Sequence, residues 1–121
     1  MTNLDFSQLL QEYWPLVLLV AWFGHKWLRA RRVVALLPSL RQQGAVLLDV
    51  RSAAEFASGN APGTRNIPLS ELAARLGELP RNVPVVVCCA SGTRSGMAAL
   101  LLKKNGFVPV YNAGSWTALN A

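Results

Sequence analysis

Residues 88–95, Cys-Cys-Ala-Ser-Gly-Thr-Arg-Ser, place two thiols, three hydroxyls, a glycine and a guanidinium within one short segment. A loop that turns at Gly92 and runs into a helix directs several backbone N–H groups at one point, and the helix dipole adds positive potential there. A cysteine at that point is held as its thiolate. Arg94 adds a full positive charge to the loop. Thiols in such surroundings have pKa values well below the free value of about 8.5, so the sulfur is a nucleophile at neutral pH. The same backbone also binds anions. Ser91 and Thr93 can donate hydroxyl hydrogen bonds to the oxygens of a sulfur- or phosphorus-centred oxyanion. Residues Ala90, Ser91, Gly92, Thr93, Arg94 and Ser95 therefore lie where an anion cradle would form, beside the adjacent thiols of Cys88 and Cys89.

Other side chains take lesser parts. Cys88, last in an apolar run, reads as a small core residue, with a resolving-thiol role as the alternative. Asp49 at a strand end reads as a structural carboxylate that pairs with Arg51 or caps a turn. Arg51 and Arg65 read as rim charges that attract anionic donors. The single histidine, His25, lies in the N-terminal segment, which leaves the rest of the chain without the usual general base or a His-based metal site. The reading calls for no cofactor and no metal.

These groups need a scaffold in which strand ends meet helix starts. Residues 45–50 form a continuous apolar run between Gly44 and a charged turn, as expected of a buried parallel strand. Residues 83–88 are rich in valine and predict the strongest strand. A helix over 95–104 closes at Asn105-Gly106, and a last short strand covers 107–111. Between them Pro62-Gly63, Asn66 and Pro68 mark a loop, and Ser70 caps a helix over 71–76. Residues 33–40 have helical spacing, with Pro38 dividing a juxtamembrane helix from the first helix of the domain. Strand and helix alternating in this way predict an α/β domain with a mostly parallel central sheet flanked by helices.

Composition sets the limits. With 121 residues, 52% of them apolar, the chain is one domain plus an appendage and is not disordered. Two adjacent cysteines cannot build a disulfide scaffold and favour a compartment that keeps thiols reduced. The net charge of +6 is uneven: Lys26, Arg29, Arg31, Arg32 and Arg41 face no acid between residues 25 and 41. Downstream the balance is mild, so no nucleic-acid partner is expected. Residues 13–24 carry no charge, and Trp27 and Leu28 continue the apolar run past His25 and Lys26. As a helix, residues 13–28 would span about 24 Å against a hydrocarbon core of about 30 Å, with Leu4, Phe6, Leu9 and Leu10 adding length upstream. The aromatic residues at both ends and the following basic cluster predict a membrane-anchor helix with its basic flank over 1–29, ahead of a domain over 30–121. A helix lying in the interface and one packed on the domain are the alternatives. The positive-inside rule then puts a single-pass protein in the inner or plasma membrane, N-terminus outside and domain cytoplasmic.

Three blocks together resemble the rhodanese-like sulfurtransferases: Leu48-Asp49-Val50-Arg51 with Glu55-Phe56, then Gly59 through Pro62-Gly63 to Asn66-Ile67-Pro68, and Cys89-x-x-Gly92-x-Arg94-Ser95. They cover residues 33–119. The resemblance implies a rhodanese-like fold, with Cys89 accepting sulfane sulfur from a small anion such as thiosulfate. A persulfide on Cys89 would then pass its sulfur to a thiol or cyanide, and the loop through Arg94 would form the cradle. The sequence departs from the family pattern at Asn60-Ala61, where His-Ile is usual. Counting from Cys88, five residues precede Arg94, which is the spacing of the cysteine phosphatase loop; counting from Cys89, four do. Phosphatase loops more often carry glycine three residues after the nucleophile, which fits Gly92 counted from Cys89 and fails at Ser91 counted from Cys88. The readings are thus a sulfurtransferase, with a non-catalytic docking module at the membrane or a small phosphatase using Cys88 as alternatives.

Overall fold

In the computed structural model, which describes residues 5–120, a helix of 37 residues opens the chain: α1 (Phe6–Gln42). Leu4, counted above in the apolar flank, lies outside the described residues. Asp5 caps α1, its carboxylate accepting from the Ser7 backbone N–H at 3.3 Å. Pro38 does not divide the helix as expected. Leu37 and Leu40 on either side of it are buried against the sheet, and that packing offsets the lost backbone donor.

After α1 come β1 (Val46–Asp49), α2 (Ala53–Ser58), β2 (Thr64–Asn66) and α3 (Leu69–Leu72), which tightens into a 3-10 turn over Ala73–Glu78. Then follow β3 (Val85–Cys89), α4 (Thr93–Lys104), β4 (Val110–Ser115) and a terminal 3-10 turn, Trp116–Asn120. The four strands pair in parallel in the order β2-β1-β3-β4. This is the expected α/β layering, with β3 central and its C-terminal end flush with that of β1, where Asp49 pairs with Cys88.

Successive strand residues face opposite sides of the sheet. Val85, Val87 and Cys89 look toward α4 and α3, in a cluster with Leu48, Leu72 and Leu102. Val86 and Cys88 look the other way, onto Val33, Leu37 and Leu40 of α1. Each fully buried leucine contributes roughly 1.5–3 kcal/mol. The strand expected over 107–111 lies later. Phe107 drops into the core straight after α4, its N–H bonded to the Leu102 carbonyl at 3.1 Å, and pairing begins at Val110 beyond Pro109. Ser70 sits inside α3, whose cap is Pro68.

The expected single-pass location is overturned. Among the described residues no helix is long and apolar enough to cross a membrane. The uncharged run of 13–24 is short, is diluted by Tyr13, Trp14, Pro15 and Trp22, and is bounded by Glu12 and Lys26. The helix it belongs to continues into the arginine-bearing turns that pack on the sheet. The orientation inferred from those arginines falls with the span.

Candidate active site

Between β3 and α4 the chain has only Ala90, Ser91 and Gly92 in which to turn from strand to helix. Gly92 makes the turn at φ +105°, a region glycine enters without steric cost. A side chain there would also begin 3.3 Å from the Gly114 Cα. The tight turn aims the Gly92 N–H at the Cys89 Sγ, 2.9 Å away. Ser95, in the first turn of α4 and fully buried, brings its hydroxyl to 3.4 Å from the same sulfur.

Opposing effects act on the Cys89 thiol. Burial pushes its pKa up, but the Ser95 hydroxyl and the backbone N–H groups of Ser95, Gly92 and Ser91 outweigh burial and hold it below the ordinary thiol value. Cys88 has no such donors. Burial, with Asp49 nearby, pushes its thiol up to about 12, and it lies wholly covered beneath α1. The frame that would make Cys88 a phosphatase nucleophile therefore has no ionised sulfur and no access.

Arg94 was expected to lend its charge to the cradle. Instead its guanidinium reaches across to Glu55 of α2 in a two-pronged pair, with Nη1–Oε1 at 2.6 Å and Nη2–Oε2 at 2.9 Å. Glu55 is held to about 2, first by this pair and then by the Ser52 N–H. The pair joins the two sides of the mouth and balances the charge locally, so the activation of Cys89 rests on hydrogen-bond donors. Glu55 also closes a capping box with Ser52, which starts α2.

Asp49 and Arg51 behave as the structural reading expects, and the rim reading of Arg51 is corrected. Arg51 is only 4% exposed, and its guanidinium grips Asp49 with Nη2–Oδ2 at 2.8 Å. It also donates to the Gly59 carbonyl at 2.7 Å and stacks 4.6 Å from the Trp116 ring. The buried charge is paired and fully hydrogen-bonded, so it braces the strand ends behind the loop. Arg65 is exposed on the outer strand β2, donates to the Glu78 carbonyl at 3.2 Å, and is not brought to the site. Asn112 of β4 escaped the sequence reading. Its Oδ1 accepts from the Ser95 hydroxyl at 2.7 Å and the Gly114 N–H at 2.9 Å, while its Nδ2 donates to the Gly92 carbonyl at 3.3 Å. It fixes the serine that fixes the sulfur, across a separation of 17 residues that no local pattern reports.

The chain as a whole has counterparts among known proteins. Residues 33–121 match the rhodanese-like domain family. The chain belongs to that family. Protein YqhL of Bacillus subtilis is 47% identical over 68 residues, which cover 56% of this chain and 54% of that protein. The thiosulfate sulfurtransferase GlpE of Pseudomonas fluorescens is 34% identical over 74 residues, covering 61% of this chain and 68% of the relative. Among solved structures, the human single-domain sulfurtransferase TSTD1 superposes with a TM-score of 0.57 at 33% identity, over 68% of this chain and 87% of that one. The chain spans only about half the length of YqhL. Two of these relatives are named as sulfurtransferases.

Proposed function

We propose that residues 30–121 form a thiosulfate sulfurtransferase domain in which Cys89 carries sulfane sulfur, with the part of α1 before residue 30 as an appended helical arm. The observation that carries this reading is the Gly92 N–H at 2.9 Å from the Cys89 sulfur, which is held below its ordinary pKa. The Cys89 thiolate attacks the outer sulfur of thiosulfate, a new S–S bond forms, and the old one breaks with its electron pair leaving on sulfite. The sulfite oxygens lie in the cradle of Ala90, Ser91, Gly92, Thr93, Arg94 and Ser95, where the exposed Ser91 and Thr93 hydroxyls face solvent beside the loop. In the second half, a thiolate or cyanide attacks the outer sulfur of the persulfide, and the electron pair of the broken bond returns to Cys89. No proton needs to move to or from a carbon, which suits a site without histidine.

Whole-protein mass spectrometry after incubation with thiosulfate tests this. The wild type gains the mass of one sulfur atom, lost again on adding cyanide, and Cys89→Ser gains nothing. An unchanged wild-type mass would overturn the reading in favour of a module that uses the fold without the chemistry.

A further inference from the structure

α1 does more than cover one face of the sheet. Val33, Leu37 and Leu40 seat its C-terminal half, and two turns before Val33 the same helix passes beside the cradle. The Ala30 Cβ lies 3.8 Å from where a side chain on Gly114 would begin. The Cε and Nζ of Lys26 lie 3.7 and 3.8 Å from where one on Gly92 would begin, and Gly92 is the residue whose N–H holds the Cys89 sulfur. Lys26 is half-buried, with its ammonium 4.4 Å from the centre of the Trp22 ring, so it is held at this position. One turn on, Arg29 lines the same cleft with its Nη2 at 3.0 Å from His25 Nε2.

Between this stretch of α1 and the start of α4 the cleft measures about 280 Å³, with Gly92, Gly96, Asn112 and Gly114 among its walls. No acidic side chain lines it, and neither Lys26 nor Arg29 forms a salt bridge among the described residues. Two cations without acidic partners thus line a hollow beside the reactive loop, just under the range of about 300–1,000 Å³ for small-molecule sites. Both come from residues before the part of the chain that matches the family, which begins at residue 33.

We propose that this cleft receives the anionic end of the sulfur acceptor, a small thiol bearing a carboxylate, and that Lys26 and Arg29 are its specificity-determining residues. The inference rests on the sulfurtransferase reading above. Thiosulfate carries its charged oxygens on the atom bonded to its outer sulfur, so both fit inside the cradle. A small thiol carboxylate instead carries its charge one or two carbons from its sulfur, so Lys26 beside Gly92 can hold the carboxylate while the thiol approaches Cys89. With the carboxylate held by the lysine ammonium and the flat arginine fork, the acceptor thiolate faces the outer sulfur of the persulfide. The new S–S bond forms on the acceptor, the bond to Cys89 breaks, and its electrons return to the Cys89 thiolate, with no outside oxidant or reductant.

Alkylation of Cys89 in the full-length protein, read by mass spectrometry, tests the cleft without any need for sulfur loading. Iodoacetate and iodoacetamide share a leaving group and differ in the carboxylate. Lys26→Gln should slow iodoacetate about 3-fold, and Lys26→Gln with Arg29→Gln about 10-fold, while iodoacetamide stays unchanged and Lys26→Arg restores the iodoacetate rate. The acceptor itself is tested on the persulfide. Unloading by 3-mercaptopropionate should exceed that by 2-mercaptoethanol, compared at equal thiolate concentration, and the double variant should abolish the difference. An iodoacetate-to-iodoacetamide ratio that is the same in wild type and double variant would overturn the proposal, as would equal unloading rates in the wild type. Failure of thiosulfate to load Cys89 would instead overturn the sulfurtransferase reading, while the alkylation ratio still reports on the cleft.

Discussion

Cys88 and Cys89 are neighbours in the chain yet stand on opposite faces of one strand, with opposite chemistry. On the α1 face, Cys88 sits among Val33, Leu37, Leu40 and Val86 with its pKa pushed up to about 12, an inert sulfur that only fills space. On the α4 face, Cys89 is also covered, but a turn of three residues and the first turn of a helix aim the backbone N–H groups of Ser91, Gly92 and Ser95 at it. Burial alone raises a thiol pKa on both sides. What separates the two is whether the surrounding backbone has N–H groups to spare, and only a strand that runs directly into a helix leaves them unpaired.

That contrast can be broken in order of effect. Cys89→Ser should abolish thiosulfate-dependent mass gain, whereas Cys88→Ser should retain it; a persulfide surviving in Cys89→Ser would reverse the two roles. Gly92→Ala forces a side chain into a left-handed backbone 3.3 Å from the Gly114 Cα. It should cost about 1–3 kcal/mol of stability in a denaturant titration and slow Cys89 alkylation on the order of 100-fold, since the loop must shift to admit it. Ser95→Ala removes the hydroxyl beside the sulfur and leaves the amides, and the alkylation midpoint should rise. Smallest is Glu55→Gln, which frees Arg94. The Glu55 carboxylate is ionised in the fold down to about pH 2, so its pairing is complete above the ordinary value of 4.5 and fades as pH falls through about 2. At neutral pH the substitution should therefore change the KM for thiosulfate by only a few-fold and leave the Cys89 midpoint in place.

Much of this could be read from the residues. The valine-rich β3, the apolar β1, the helix ending at Asn105-Gly106 and the Cys89–Ser95 loop all carry their own local signals, and the parallel α/β layering follows from their order. β2 escaped because Thr64–Asn66 has three residues, none buried, so neither length nor alternation marks it. α2 buries nothing, but the Ser52 to Glu55 spacing is a capping-box signature that would have revealed it. The Arg94–Glu55 pair, 39 residues apart, and Asn112 against Ser95 are products of the fold and have no sequence period. The N-terminal helix misled for a physical reason. Local apolar run and following charge describe a span well, yet they do not tell whether the last turns of the same helix belong to a core, as Val33, Leu37 and Leu40 do here.

The ionisation of Cys89 is the claim on which the chemistry depends, and the pH dependence of its alkylation by neutral iodoacetamide measures it, with Cys88 as control in the same molecule. Cys89 should show a midpoint below the ordinary thiol value, and Cys88 should stay unmodified across the folded range. A Cys89 midpoint at or above the ordinary value, or reaction at Cys88 first, would contradict it.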